Sequence, residues 1–163
     1  MLSKLDIFQK VLDDLNQQSL EISSSDDQRP WGGFYVIKET DAHKFVKTFF
    51  SDLNTEKLGP GKLSPKILIV EPGKKLSWQY HHRRAELWTM IEGDAQIVRS
   101  HNDEQTTPVH LKIGEMITLE KGERHRLVGG SHWSIIAEIW MHTEPDHPSD
   151  EEDIIRLDDD FGR

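Results

Sequence analysis

No cysteine occurs anywhere in the 163 residues. That excludes disulfide staples and thiolate zinc centres, and leaves nitrogen and oxygen as the donors for any bound metal. Long apolar runs are missing as well. The N-terminal stretch MLSKLDIFQKVLDDLNQQ scatters charges through its apolar positions, and no segment approaches the ~20 apolar residues needed to cross a bilayer. Neither export nor a membrane partner is expected, and the composition fits a cytoplasmic protein. Cationic excess is also absent: a formal net charge of −9 argues against nucleic acid, whose counterions are displaced by clustered Lys and Arg. A small anionic ligand stays compatible, because Lys74, Lys75, Arg83 and Arg84 gather in one short basic stretch. The acid concentrates instead in the C-terminal EPDHPSDEEDIIRLDDDFGR, which reads as solvated surface.

The length and the 35% apolar share suit one domain large enough to bury a core. Within residues 4–22, Leu5, Phe8, Leu12 and Leu15 recur at spacings of three and four, with Ile7 and Val11 alongside. That is the period of an amphipathic helix, packed on the domain or on a second subunit. The polar SSSDDQRP should end the helix and lead through Pro30 into extended chain. The expected division is a helix and polar linker over 1–28 and a globular domain over 29–163. From there the pattern changes to short β-prone runs: FYVIKE, KFVKTFF, KILIVE, LWTMIE, AQIVRS, VHLKI, MITLE and SIIAEIWMH. Turn signals such as EPGK, EGD, KIGE and EKGE separate them, so the expectation is an all-β sandwich or barrel. LNTEKLGPGKLSP is the longest break before the Gly73–Gly93 stretch, and SDEEDII reads as a short helix capped by Ser149 or Asp150.

The stretch GKKLSWQYHHRRAELWTMIEG, from Gly73 to Gly93, holds the densest chemistry. Gln79 and His81 lie two residues apart and so project from one face of a strand, with His82 opposed. Glu86 follows a turn, from where an antiparallel partner strand would return its carboxylate to the same interior point. A second glycine-punctuated run, GEMITLEKGERH, ends on His125. Gln79, His81, Glu86 and His125 then make a four-ligand set with room for water or substrate. By ligand type it suits zinc, iron, manganese, cobalt or nickel alike. The other histidines, His43, His101, His110, His132, His142 and His147, read as structural or surface residues.

The first stretch resembles cupin motif one, G-x5-H-x-H-x4-E-x6-G, with Gln79 in place of its first His and Gly73, His81, Glu86 and Gly93 in register. The second resembles motif two, G-x5-P-x-G-x2-H-x3-N. It keeps Gly114, Gly122 and His125, with Glu120 for Pro and Gly129 for Asn. QYHHRRAELW is similar to the Q-Y-H-H-H-R-A-E-H-W segment of type II mannose-6-phosphate isomerases, and RPWG and EEDIIRLDDDFGR resemble that domain's opening and close. The matches span residues 29–163. Two departures stand out: Arg83 and Leu87 occupy positions where that family carries His.

The resemblance implies a cupin barrel, a double-stranded β-helix or jelly roll; type II enzymes usually carry a nucleotidyltransferase domain ahead of it, where this sequence has only a short expected helix, so the expectation is a stand-alone cupin. It implies zinc on Gln79, His81, His125 and Glu86, and a sugar-phosphate partner. The reaction implied is the interconversion of mannose 6-phosphate and fructose 6-phosphate. Arg84, matching the arginine of the family's H-R-A-E, would stand at the mouth of the site and stabilise an enediolate or assist proton transfer. Arg163 and Arg156 would reach phosphate, whose geometry guanidinium matches bidentately. Lys44 and Lys47, taken as one face of a strand, are further phosphate candidates. A homodimer is the expectation by analogy with cupins that pair through barrel strands. Two other readings of the same residues are a non-catalytic sugar-binding cupin and a metal-dependent dioxygenase.

Overall fold

The computed structural model describes residues 1–163. Helix α1 (Lys4–Gln17) starts at a capping box, in which Ser3 Oγ accepts the Asp6 amide and the Asp6 carboxylate accepts the Ser3 amide. Its buried stripe is Ile7, Phe8, Val11 and Leu15, rotated from the expected one, so that Leu5 stands 79% exposed. The stripe packs on the helix's own domain. None of the helices is long and apolar enough to cross a membrane.

Eleven strands follow: β1 (Ile22–Arg29), β2 (Gly32–Ile37), β3 (Lys66–Val70), β4 (Trp78–Tyr80), β5 (Arg84–Glu92), β6 (Ala95–Ser100), β7 (Val109–His110), β8 (Met116–Leu119), β9 (Arg124–Gly129), β10 (Ser134–His142) and β11 (Ile155–Asp158). They form a six-stranded sheet in the order β1-β2-β3-β10-β5-β8 and a five-stranded sheet in the order β11-β4-β9-β6-β7, antiparallel throughout. This is the cupin architecture expected from the motifs.

Three local expectations are corrected. The polar ISSSDDQR is strand β1, so the sheet begins at Ile22 and the supposed linker belongs to it. Its polar character suits an edge strand that must not invite further pairing. KFVKTFF lies in helix α2 (Ala42–Phe49), because Ala42, Phe45 and Val46 recur at helical spacing and bury together. SDEEDII forms a turn instead of a helix, in which Asp150 Oδ1 accepts the amides of Glu152 and Asp153, and the chain then enters β11.

The six-stranded sheet separates two apolar clusters, which explains why β3 and β10 read as almost unbroken hydrophobic runs. Its outer face carries Ile67, Ile69, Leu87, Ile135, Ala137 and Ile139, packed against Ile7, Phe8, Phe45 and Val46 of the two helices. Its inner face carries Leu68, Val70, Trp88, Met90 and Ile136, packed against Ile97 and Leu127 of the other sheet. Gly93 turns β5 into β6 at φ 96°, where a Cβ would stand 2.1 Å from the Trp133 carbonyl oxygen. No larger residue fits there.

Toward one end the inner face changes from apolar to polar. In the six-stranded sheet Glu138 pairs with Lys66 on one side and Trp88 on the other, and Trp140 pairs with Glu86 in the next row. In the opposite sheet Gln79 pairs with both Arg156 and His125. Two ladders that are apolar at one end thus present facing rows of chemistry at the other.

Candidate functional site

Those facing rows converge. Ligand atoms of His81, Glu86 and His125, all buried, lie within 4.8 Å of one another. His81 Nε2 is 3.1 Å from Glu86 Oε1, and His125 Nε2 is 3.5 Å from Glu86 Oε2. Gln79 Nε2 lies 3.3 Å from His81 Nε2. All four residues named from sequence therefore meet, though by another route. Strand β4 pairs with β9 and β11, and Glu86 reaches the site from the opposite sheet. The expected return of Glu86 on a hairpin partner is corrected to an approach across the barrel.

Each imidazole is oriented by a backbone carbonyl: His81 Nδ1 lies 2.6 Å from Asp153 O, and His125 Nδ1 lies 3.0 Å from Glu123 O. A carbonyl accepts only, so both Nδ1 atoms carry the proton and both Nε2 lone pairs face the centre. His125 Nε2 is fully buried and makes no hydrogen bond. An orphaned buried acceptor is costly, and a cation at the centre would satisfy it. Burial pushes His81 below the usual imidazole value, and so favours the neutral form a metal requires. Burial alone would raise the Glu86 carboxyl, but the Arg84 guanidinium beside it holds it well below the usual range. Two imidazole nitrogens and one carboxylate fit a divalent cation of the zinc-to-manganese group; the Gln79 carboxamide stands beside them, its Nε2 toward His81 and its Oε1 accepting from Ser77 Oγ at 2.6 Å. The donor set and the orphan nitrogen together suit a bound divalent cation.

Arg84 is not at the mouth. It is 6% exposed, donates to Glu86 Oε1 at 2.9 Å, to Ser149 Oγ and to Asp150 O, and lies 3.6 Å above the Trp140 ring. The correction has a physical reason: Glu86 is a buried anion, and Arg84 is the cation that balances it.

Beside the cluster opens a small pocket of ≈ 80 Å³, with Gln79, Arg84 and Glu86 in its wall. Arg29, Arg156 and Arg163 also line it. Arg29 pairs with Asp26 and Arg163 with Asp159, whereas Arg156 holds no carboxylate. Burial, then repulsion from Arg163 and Arg29, pushes Arg156 below the ordinary guanidinium value. Lys44 and Lys47 are elsewhere. They sit on α2, where Lys44 donates to Ser19 O and approaches Asp41, and neither lines the pocket. The strand face that would have aimed them together does not exist.

Several residues escaped the sequence reading. Lys66 and Glu138 line the same pocket, yet they sit inside apolar runs whose spacing signals only core. Asp153 is another. Its carboxylate accepts the amides of His82 and Arg83 and the Ser149 hydroxyl, while its carbonyl holds His81. Burial would raise this carboxyl, but those hydrogen bonds and Arg83 bring it down to about 2 from 3.8. A depressed folded value means stability present above the unfolded value and lost as pH falls through the folded one, here between about pH 4 and 2. Asp153→Asn is expected to lose roughly 2 kcal/mol at neutral pH and to flatten the stability profile across that window. Urea titrations at several pH values measure both; an unchanged acid slope would contradict this role for Asp153.

Comparison with known proteins bears on this site. The family model described as mannose-6-phosphate isomerase C-terminal matches residues 57–159. The alginate biosynthesis protein AlgA of Pseudomonas aeruginosa is 31% identical over 137 residues, which are 79% of this chain and 27% of that protein. Mannose-1-phosphate guanylyltransferase 2 of Escherichia coli O157:H7 is 27% identical over 109 residues, 65% of this chain and 18% of that one. The chain thus spans about a quarter or less of these relatives' length. Among solved structures, the capsular polysaccharide assembling protein CapF of Staphylococcus aureus superposes with a TM-score of 0.55 at 15% identity, covering 83% of this chain and 34% of that one. At that identity the likeness concerns the fold alone.

Proposed function

The chain belongs to the mannose-6-phosphate isomerase C-terminal family, and on that premise we propose that it is a metal-dependent sugar-phosphate isomerase interconverting mannose 6-phosphate and fructose 6-phosphate. The observation that carries this reading is the orphaned His125 Nε2, buried beside His81 and Glu86, where Glu86 and Gln79 reach into the wall of a pocket that three further guanidinium groups also line. A cation-binding centre and an anion-binding wall in one cavity are what an aldose–ketose isomerase of a phosphorylated sugar needs.

Gln79, His81, Glu86 and His125 would hold the divalent ion, which when bound supplies positive charge to the sugar's carbonyl and hydroxyl oxygens. The chain's own residues do the rest. Arg84 keeps Glu86 ionised and adds a fixed positive charge close to where the enediolate oxygens develop. Arg156, free of any carboxylate, and Arg163 take the phosphate, with Arg29 beside them. Trp88 and Trp140 exclude water from the polar end of the barrel. Guanylyl transfer, named for one of the relatives, is not part of the reading, because the pocket's ligand set and basic wall answer the isomerase chemistry.

Protein loaded separately with zinc, manganese, iron, cobalt and nickel tests the proposal by direct assay of mannose 6-phosphate against fructose 6-phosphate. Removing a charge-assisted bond to phosphate costs about 1.5–3 kcal/mol. Arg156→Ala and Arg163→Ala are therefore each expected to raise KM about 10- to 100-fold with little change in kcat. An unchanged KM in both would remove the phosphate assignment.

A further inference from the structure

Two buried ionisable groups in the pocket have no part in the roles given so far. Glu138 and Lys66 stand directly opposite each other on β10 and β3, are each 5% exposed, and both line the cavity. They are held in place. The two Glu138 oxygens accept the indole N–H groups of Trp140 and Trp88, each at 2.9 Å. Trp88 Nε1 also lies 3.1 Å from Glu86 Oε2, so a single indole spaces Glu138 from the ligand carboxylate. The Lys66 ammonium sits 4.7 Å from the centroids of both the Phe34 and Trp140 rings and pairs with Glu151. A carboxyl with two fixed donors, next to a fixed cation, in the wall of the pocket and one indole from the His81–Glu86–His125 cluster, is placed to meet a carbon-bound hydrogen of a sugar bound there.

We propose that Glu138 is the acid–base group that carries the proton between C1 and C2 of the sugar phosphate, and that Lys66 is a positioning residue that sets its charge. The inference rests on the isomerase reading and adds to it the group that reading lacks. In the forward direction the C2–H bond breaks, its proton goes to the Glu138 carboxylate, and its electron pair becomes the C1=C2 bond. The C1=O π pair moves onto O1, giving the cis-enediol skeleton, and the O2 hydroxyl proton passes to O1. Glu138 then returns its proton to C1, forming the second C1–H bond as C2=O closes. Atoms and electrons balance with no oxidant or reductant.

The charges around Glu138 suit a group that must both take and give. Burial, with repulsion from Glu86, raises the carboxyl to about 8, while Lys66 on β3 and Arg84 on β5 pull it back. A value near the working pH is where general acid–base exchange is most effective.

The test uses full-length, metal-loaded protein. Glu138→Gln is expected to lower kcat for both directions of mannose 6-phosphate and fructose 6-phosphate interconversion by about 10²- to 10⁴-fold, with metal content and KM near wild type. Because the amide cannot satisfy both indoles as the carboxylate does, a second variant is measured beside it. Lys66→Met removes the charge that lowers Glu138, so the acidic limb of its kcat profile should move to higher pH, and Lys66→Arg should move it back. A purely structural role would lower activity without moving the limb. Glu138→Gln turning over within about threefold of wild type, or a limb that stays in place in Lys66→Met, overturns the assignment while leaving the isomerase reading intact. Wild-type protein that interconverts neither sugar phosphate with any metal overturns both.

Discussion

Protein carrying His125→Ala is expected to lose its divalent ion and to turn over sugar phosphate on the order of 10³-fold more slowly, since polarisation by such an ion is worth several kcal/mol. The reasoning starts from one atom. His125 Nε2 is buried with no hydrogen bond while its Nδ1 is fixed on Glu123 O, so the side chain holds an aimed lone pair with no present use. A readout free of activity goes with it. An ion at 100 times its Kd stabilises a folded protein by about 2.7 kcal/mol, which for a chain of this length raises Tm by roughly 5–10 °C. Wild type should show that shift on adding the metal, and His125→Ala should show little or none. Equal shifts in both would mean that the ion binds elsewhere.

Arg84→Met is expected to destabilise the metal-free protein by about 3–5 kcal/mol, the usual cost of leaving one partner of a buried ion pair alone. Glu86 is 2% exposed, and Arg84 is the permanent cation touching it. The consequence that separates this from simple loss of packing is its dependence on metal. A bound divalent ion gives Glu86 a second counter-charge, so saturating metal should recover much of the loss in the variant. Urea unfolding of variant and wild type, with and without the ion, gives the four stabilities needed. A penalty of the same size in both conditions would contradict the pairing as the source of stability.

The sequence made the cluster of Gln79, His81, Glu86 and His125 legible because its spacing is local. Gln79 and His81 share a strand face, Glu86 follows within the same motif, and His125 closes the second. What it could not convey was which sheet each residue enters, since β4 and β5 are consecutive in the chain yet lie in opposite sheets. The same limit hid Glu138 and Lys66. They meet only because β10 and β3, far apart in sequence, pair in register, and each sits in a run whose other residues are apolar. Most strands were visible as β-prone runs, but α2 was not: Phe45, Val46 and Phe49 favour strands by residue type and helix by spacing, and packing against the outer sheet face decides for helix. Strand β1 failed for the converse reason, being too polar to look like a strand until its place at the sheet's edge is known. The tail was misread by one interaction. Within the SDEEDII expected as a helix, the Asp153 carboxylate instead accepts the amides of His82 and Arg83, and the chain beyond it places Arg156 and Arg163 in the pocket wall.

The central claim is that this pocket moves a proton between two carbons of a phosphorylated sugar. It is tested most directly by incubating metal-loaded protein with mannose 6-phosphate in deuterated water and following the C1 and C2 positions by NMR. Deuterium appearing at these carbons as fructose 6-phosphate accumulates, and its absence with His125→Ala, is the predicted result. Folded, metal-loaded protein that leaves both carbons unlabelled and forms no ketose would contradict the account, and would point instead to a cupin that binds its sugar without turning it over.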